Sequence, residues 1–374
     1  MNVGGVERTI RERLLDRRRF FPTLAAAAAV ASGGLRSKFM PCAVATTTPS
    51  SPSETAVKEL WKGLTDAQKS EICFGWDYRD KKRGLLRTFL ANHWQITRPC
   101  IRSDFYTKKQ QFIIHDIFKS LLAPEWYPRF LKQLRDDTFG HEWGTDQSIA
   151  IFGNPVEGKF QFVISGRHLT LRTDGGTEGR VAFGGPIFYG HAATGYTEEV
   201  HHPGNVFWPQ AVKANRVYQM LDVRQRSKAL VEKLPVEVAI GFQGPAGAFP
   251  GLPVTEMSPD QKKELREVLQ TLVAPFRQED RNAVAECLNQ QGGLEKCSLA
   301  FYKEDDLGDD GEWDNWRLEG PAFVWYFRGA PHVHVWVNIS RDPSVAVNVK
   351  QGVFLDRSHD PLGAYPKGSP PPEN

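Results

Sequence analysis

With 374 residues, 40% of them hydrophobic and 24% charged, the chain has the composition of a globular protein and enough apolar material for one large core or two modest ones. Its formal charge of +3 is local: residues 1–45 carry eight Lys/Arg against three Asp/Glu, which leaves the remainder at −2. That balance excludes a general nucleic-acid surface, so no nucleic acid is expected as a partner.

The N-terminus accounts for the excess charge. Asp16-Arg17-Arg18-Arg19-Phe20-Phe21 resembles a twin-arginine export motif, and an alanine-rich apolar run follows from Phe20 to Ala31. Small-x-small exits stand at Ala29-Val30-Ala31 and Ala43-Val44-Ala45. Residues 1–45 therefore read as an export signal and 46–53 as a Thr/Ser/Pro-rich linker, with the twin-arginine machinery as a transient partner and a periplasmic or extracellular destination. The apolar run is too short and too alanine-rich for a stable membrane span. Cleavage after Ala45 would leave Cys73, Cys100, Cys287 and Cys297. Export permits disulfides, and Cys287 with Cys297 could close a small loop; buried thiols are the alternative.

Helices are expected over Ser53–Lys62, Thr65–Cys73, Lys108–Leu122 and Pro124–Arg135, two or more between Phe207 and Val231, one from Ser258 to about Ala274, and one over about Asp280–Gln290. Thr65 with Gln68, and Ser258 with Pro259 and Gln261, are helix-start patterns. Strands are expected over Ser148–Phe152, Lys159–Leu171 and Val181–Phe188, and again from Ser298 to Ile339. Phe160, Phe162 and Ile164 alternate with Gln161 and Ser165, the two-residue period of a half-buried sheet. Neither set of strands makes a core alone. The expected fold is thus α+β: one large domain over residues 54–345, with a mostly antiparallel sheet and helices packed around it, and a C-terminal tail over 346–374.

The last hairpin carries the clearest chemistry. Phe323 to Phe327 and His332 to Ile339 flank a Gly329-Ala330-Pro331 turn. Alternation puts His332, His334, Trp336 and Asn338 on one face and Val333, Val335, Val337 and Ile339 on the core face. Two further segments bear suitable residues: Gly166-Arg167-His168-Leu169, and Pro186-Ile187-Phe188-Tyr189-Gly190 followed by His191.

In type, order and spacing these three segments resemble the family catalogued as domain of unknown function 3500 (DUF3500), over roughly Leu64 to Asp342. Its members carry a Gly-His-His-Leu-like strand end, a Pro-x-Phe-x-Gly segment and a late His-x-His strand. Arg167 stands where the paired motif has its first histidine, and Trp325-Tyr326-Phe327 replaces a more acidic hairpin. The resemblance implies a shared site at these residues and brings no activity with it.

His332 and His334 with His168, or with His191, fit a three-histidine site for Zn, Cu, Fe or Mn that leaves a position open for water or substrate. Asp146, Glu142 and Glu319 are candidates for a carboxylate behind a ligand or for a fourth ligand. Arg167 and Arg328 are the candidate catalytic cations, able to fix a carboxylate or sulfate bidentately. His201-His202, His141-Glu142-Trp143 and the Trp313-Asp314-Asn315-Trp316 stretch are weaker cleft candidates.

Phosphate loops, dinucleotide fingerprints, the Gly-x-Ser-x-Gly elbow and Cys-x-x-Cys pairs are absent, which argues against nucleotide-driven chemistry, that route of serine hydrolysis, zinc ribbons and c-type haem. Two readings follow. One is an exported metal-dependent enzyme, hydrolytic or oxidative, acting on an unidentified small molecule. The alternative is a non-catalytic exported protein that binds a metal or small ligand.

Overall fold

The computed structural model describes residues 51–138, 140–175, 181–191, 202, 204–308, 310–350 and 353–354. Eight α-helices occur among them: α1 (Pro52–Gly63), α2 (Asp66–Ile72), α3 (Lys108–Ser120), α4 (Tyr127–Asp137), α5 (Pro209–Gln219), α6 (Val223–Ala229), α7 (Pro259–Val273) and α8 (Gln278–Gln290). Local sequence sets most of their starts. Ser51, Thr65, Thr107, Asp222 and Ser258 each accept from the backbone N–H three residues on, and the Glu or Gln there reaches back to the cap. Each such cap contributes about 1 kcal/mol.

The fourth helix begins later than expected. Ala123 accepts from the N–H of Trp126 in a turn, so Pro124 lies outside α4 and Pro128 sits in its first turn. The helix runs on to Asp137, an extension that bears on the site below.

The main sheet has eleven strands: β1 (Cys73–Phe74), β2 (Ser148–Asn154), β3 (Lys159–Gly166), β4 (Leu169–Asp174), β5 (Ile187–His191), β6 (Leu230–Val231), β7 (Leu252–Pro253), β8 (Ser298–Tyr302), β9 (Asn315–Gly320), β10 (Phe323–Arg328) and β11 (Val333–Ile339). Their spatial order is β1-β2-β3-β4-β5-β11-β10-β9-β8-β6, with β7 also along the edge of β8. Only the pairs β1–β2 and β6–β8 are parallel within it. The middle and closing strands share this sheet, as their alternation demands: β5 pairs antiparallel with β11, Ile187 opposite Val337 and Gly190 opposite His334.

Two strand expectations are corrected. Lys159–Leu171 is not one strand, because the chain reverses at Arg167-His168 and Gly166 pairs with Leu169 across the turn. Residues 182–184 form a 3-10 turn, so the next strand starts only at Ile187.

The sheet is not half-buried either. One face packs on the helices through residues such as Phe162, Leu171, Tyr189, Trp325 and Val335. The other is covered by irregular chain: Leu86, Phe89, Trp94 and Ile96 lie over Ala150, Phe152 and Val163, while Ile240 lies over Phe188, Tyr326 and Trp336. Gln161 and Ser165 are therefore buried, and Ser165 Oγ accepts from the Ile96 N–H at 2.8 Å.

Part of the expected tail is built into the body, since Asn348–Val349 runs parallel to Phe89–Leu90 and Val353–Phe354 to His93–Trp94. Residues 1–50 and 355–374, which hold the expected export signal, most of the linker and the proline-rich end, lie outside the described residues. No described helix is long and apolar enough to cross a membrane. None of the four cysteines Cys73, Cys100, Cys287 and Cys297 is in a disulfide, so the Cys287–Cys297 loop closure is not formed. Burial instead pushes the Cys287 and Cys297 thiols up to about 11 and about 12.

Candidate metal centre

Two elements deliver the three histidines and a third gives them clearance. His332 stands just before β11 and His334 is its second residue, on the side of Trp336, while Val333, Val335 and Val337 face the helical core. His168 is the second residue of the β3–β4 turn and sits at φ 48. That left-handed backbone costs a residue with a Cβ on the order of 1–3 kcal/mol, so the surroundings must enforce it.

They do so from the segment across the sheet. The His168 N–H donates to Asn92 O at 3.2 Å, Arg167 bridges His93, and Trp94 Nε1 donates to Thr170 Oγ1 at 2.8 Å. Gly190 provides the clearance. A Cβ there would lie 2.2 Å from Val333 O and 3.3 Å from His168 Cδ2.

The three rings converge through their Nε2 atoms. Those of His168 and His332 each lie 2.9 Å from that of His334, and one ligand atom from each ring falls within 4.8 Å of the others. His168 and His334 are buried and His332 is half-buried, so the cluster opens to solvent past His332.

Carboxylates stand behind two of the rings. His168 Nδ1 donates to Asp137 Oδ2 at 2.8 Å, which fixes the tautomer whose Nε2 lone pair points into the cluster. Behind His334, Glu237 Oε1 and Arg328 Nη2 both contact Nδ1, the arginine at 2.6 Å. These two contacts select opposite tautomers. Only the one set by Glu237 leaves Nε2 a lone pair for a cation.

All three imidazoles are held in the neutral form. Burial, reinforced chiefly by Arg167, pushes the pKa of His168 well below the usual range. Burial and Arg328 do the same for His334, and burial with His168 takes His332 to about 2.

The other nominated residues divide. Arg328 sits behind His334, within 3.5 Å of Glu237 and 3.4 Å of the His332 carbonyl. Arg167 shares the turn with His168 and has a buried, unpartnered Nε. His191 pairs with Val333, which places it on the opposite face of the sheet from His334 by strand alternation. Its two ring nitrogens are buried and unpartnered, and it is not part of the converging group.

None of the three acids first nominated touches the cluster. Asp146 is 3.2 Å from His141 Nδ1, Glu142 pairs with Arg102, and Glu319 pairs with Arg317. His202 Nδ1 accepts from the Gly204 N–H in a local turn, and His201 lies outside the described residues. Trp316 stacks on Phe327 and Trp313 packs on Tyr218, both in the helical core.

Sequence reasoning missed Asp137 and Glu237. Asp137 ends α4 two residues beyond the helix end that the sequence suggests at Arg135. Glu237 lies in the Gly/Pro-rich stretch 235–251, 97 residues from His334, where no spacing announces it. Trp336 Nε1 donates to Glu237 at 3.0 Å and Asn338 Nδ2 to Ile240 O at 2.9 Å, so the histidine-bearing face of β11 itself holds that loop in place.

No curated protein and no solved structure is detectably similar to the chain. The family model described as "Protein of unknown function (DUF3500)" matches residues 46–343, a span that contains every residue of the cluster and its carboxylates. The chain accordingly belongs to the DUF3500 family.

Proposed function

We propose that His168, His332 and His334 hold one transition-metal ion and that the protein is an exported, metal-dependent enzyme of the α+β class. The observation that carries this reading is the convergence of three neutral imidazoles. In the tautomer that Glu237 sets, the Nε2 lone pairs of His168 and His334 face each other at 2.9 Å, a contact that a metal ion between them turns from repulsive to favourable; in the tautomer that Arg328 sets, the His334 Nε2–H donates to His168 instead. Burial keeps both rings uncharged, the form in which imidazole ligates a metal. Two nitrogens each about 2.0–2.1 Å from a tetrahedral ion sit about 3.3 Å apart, so small ring rotations accommodate Zn, Cu, Fe or Mn.

The donor set favours a working site over a structural one. Structural zinc sites are closed by four ligands, usually including cysteines, whereas three protein ligands leave a position for water or substrate. A metal there would polarise an oxygen or lower the pKa of bound water, which suits hydrolysis or oxidation. The chain's own part is to aim the rings. Asp137 and Glu237 orient His168 and His334, and the cover over the sheet excludes water from all but the His332 side.

A non-catalytic metal- or small-ligand-binding role draws on a different observation. Asp137 and Glu237 both lie on the Nδ1 side of their rings, so neither faces a reacting molecule as a general base.

Metal content after tag-free purification tests the centre. About one equivalent of a transition metal is expected in the wild type, and none in His334→Ala with an unchanged far-UV CD spectrum, because the valine face still packs. A wild type that takes up none of the four metals when supplied would refute the centre. Turnover by the loaded protein against a small-molecule panel separates the enzyme from the binding protein.

A further inference from the structure

Among the described residues, Arg167 is a cation without a counter-charge. The other buried or nearly buried arginines of the fold are engaged. Arg277 pairs with Asp280, Arg317 with Glu319, Arg328 with Glu237, and Arg172 donates to the carbonyls of Pro186, Arg87 and Phe89. Arg167 is half-buried, its Nε is fully covered and unpartnered, and no described carboxylate pairs with it. A guanidinium so placed forgoes part of its hydration without a protein acceptor in return, which is costly unless something else supplies one.

Its position is not free to drift. Arg167 is the first residue of the two-residue turn that carries His168, and its backbone is tied to His93. It is close enough to all three rings to disfavour their protonated forms.

The charge count points the same way. Asp137 and Glu237 contribute two negative charges, Arg167 and Arg328 two positive ones, and the neutral imidazoles none. A divalent ion in the cluster would carry its charge uncompensated by any protein ligand. No further carboxylate among the described residues supplies the missing negative charge, which a ligand on the open side would bring.

We infer that Arg167 is the anchor for an oxyanion on the substrate, a carboxylate or phosphate, with the guanidinium fork holding that group beside the open metal position. Arginine suits this better than lysine, because its planar fork meets two oxygens at once. The substrate class is thus a small molecule bearing at least one oxyanionic group. Arg328 does not share the task, since Glu237 and His334 already occupy it. The inference rests on the metal reading above, and its test is built so that the two can fail separately.

The full chain loaded with Co(II) is titrated with acetate, oxalate and inorganic phosphate while the visible cobalt bands are followed. The wild type should show saturable band shifts with at least one of the three, and the preferred probe distinguishes carboxylate from phosphate. Arg167→Gln should keep stoichiometric cobalt but bind that anion at least tenfold more weakly, and Arg167→Lys should recover part of the loss. Equal anion affinity in wild type and Arg167→Gln, or no response of the wild type to any of the three, would overturn the anchor while leaving the metal centre standing. Failure of the wild type to bind cobalt would instead count against the metal reading. In that event calorimetric titration of the metal-free protein with the same anions decides the anchor: loss of binding in Arg167→Gln supports it and equal binding overturns it.

Discussion

Glu237 shows how much of the centre resides in residues that would not touch a metal. Its carboxylate accepts from Trp336 and meets Nδ1 of His334 within a face otherwise lined by Phe188, Tyr326 and Trp336. Burial raises its pKa despite the opposing pull of Arg328, the cost of placing an acid there. An outer carboxylate of this kind fixes the ring tautomer and raises the basicity of the ligand nitrogen. Glu237→Gln is nearly isosteric and can still accept from Trp336, so the loop should stay seated. The expected outcome is a roughly 10–100-fold loss of metal affinity, measured by competition with a chromophoric chelator, with little change in the unfolding midpoint. An unchanged affinity would show that the Glu237 carboxylate does not tune His334 as a ligand.

At the scale of elements, the centre exists because three pieces of strand end at one place. The β3–β4 turn presents His168, the start of β11 presents His332 and His334, and β5 runs between the two hairpins with Gly190 opposite His334. A side chain at Gly190 would run into the Val333 carbonyl and crowd the His168 ring, so glycine is required there by close approach and not by its φ. Gly190→Ala should therefore push β5 and β11 apart at this point. A destabilisation of about 1–3 kcal/mol is expected in chemical denaturation, together with weakened metal retention, because His168 and His334 would no longer converge. Gly158→Ala is the matching control for a general glycine effect: its Cβ would meet nothing within 4 Å, although φ is 91. It should cost stability through backbone strain while leaving metal retention intact. If Gly190→Ala kept its metal at wild-type affinity, the clearance argument would fall.

For the whole molecule, export is the proposal that Arg17-Arg18 and the Phe20–Ala31 run support, and it concerns residues outside those described. Replacing Arg17 and Arg18 together by Lys should leave uncleaved precursor in the cytoplasm of an exporting host, read by fractionation and immunoblot; unaltered delivery would count against it. The legible parts of this protein were those governed by neighbours in sequence. Thr65 with Gln68 and Ser258 with Gln261 announced their helices because a cap and its partner are three residues apart. His332-Val333-His334 announced two imidazoles on one face because strand alternation is local geometry, and the motif order announced the family. What the tertiary structure alone decided lies at long range. The reversal at Arg167-His168 needed the Asn92–Trp94 segment to hold a left-handed histidine, and nothing within the strand pattern marks that turn. Burial of the second sheet face came from irregular chain that alternation cannot see. The selection of Asp137 and Glu237 over Asp146, Glu142 and Glu319 followed from where a helix end and a loop fall over the sheet, because hydrogen bonds form between groups close in space and sequence separation carries no record of that distance.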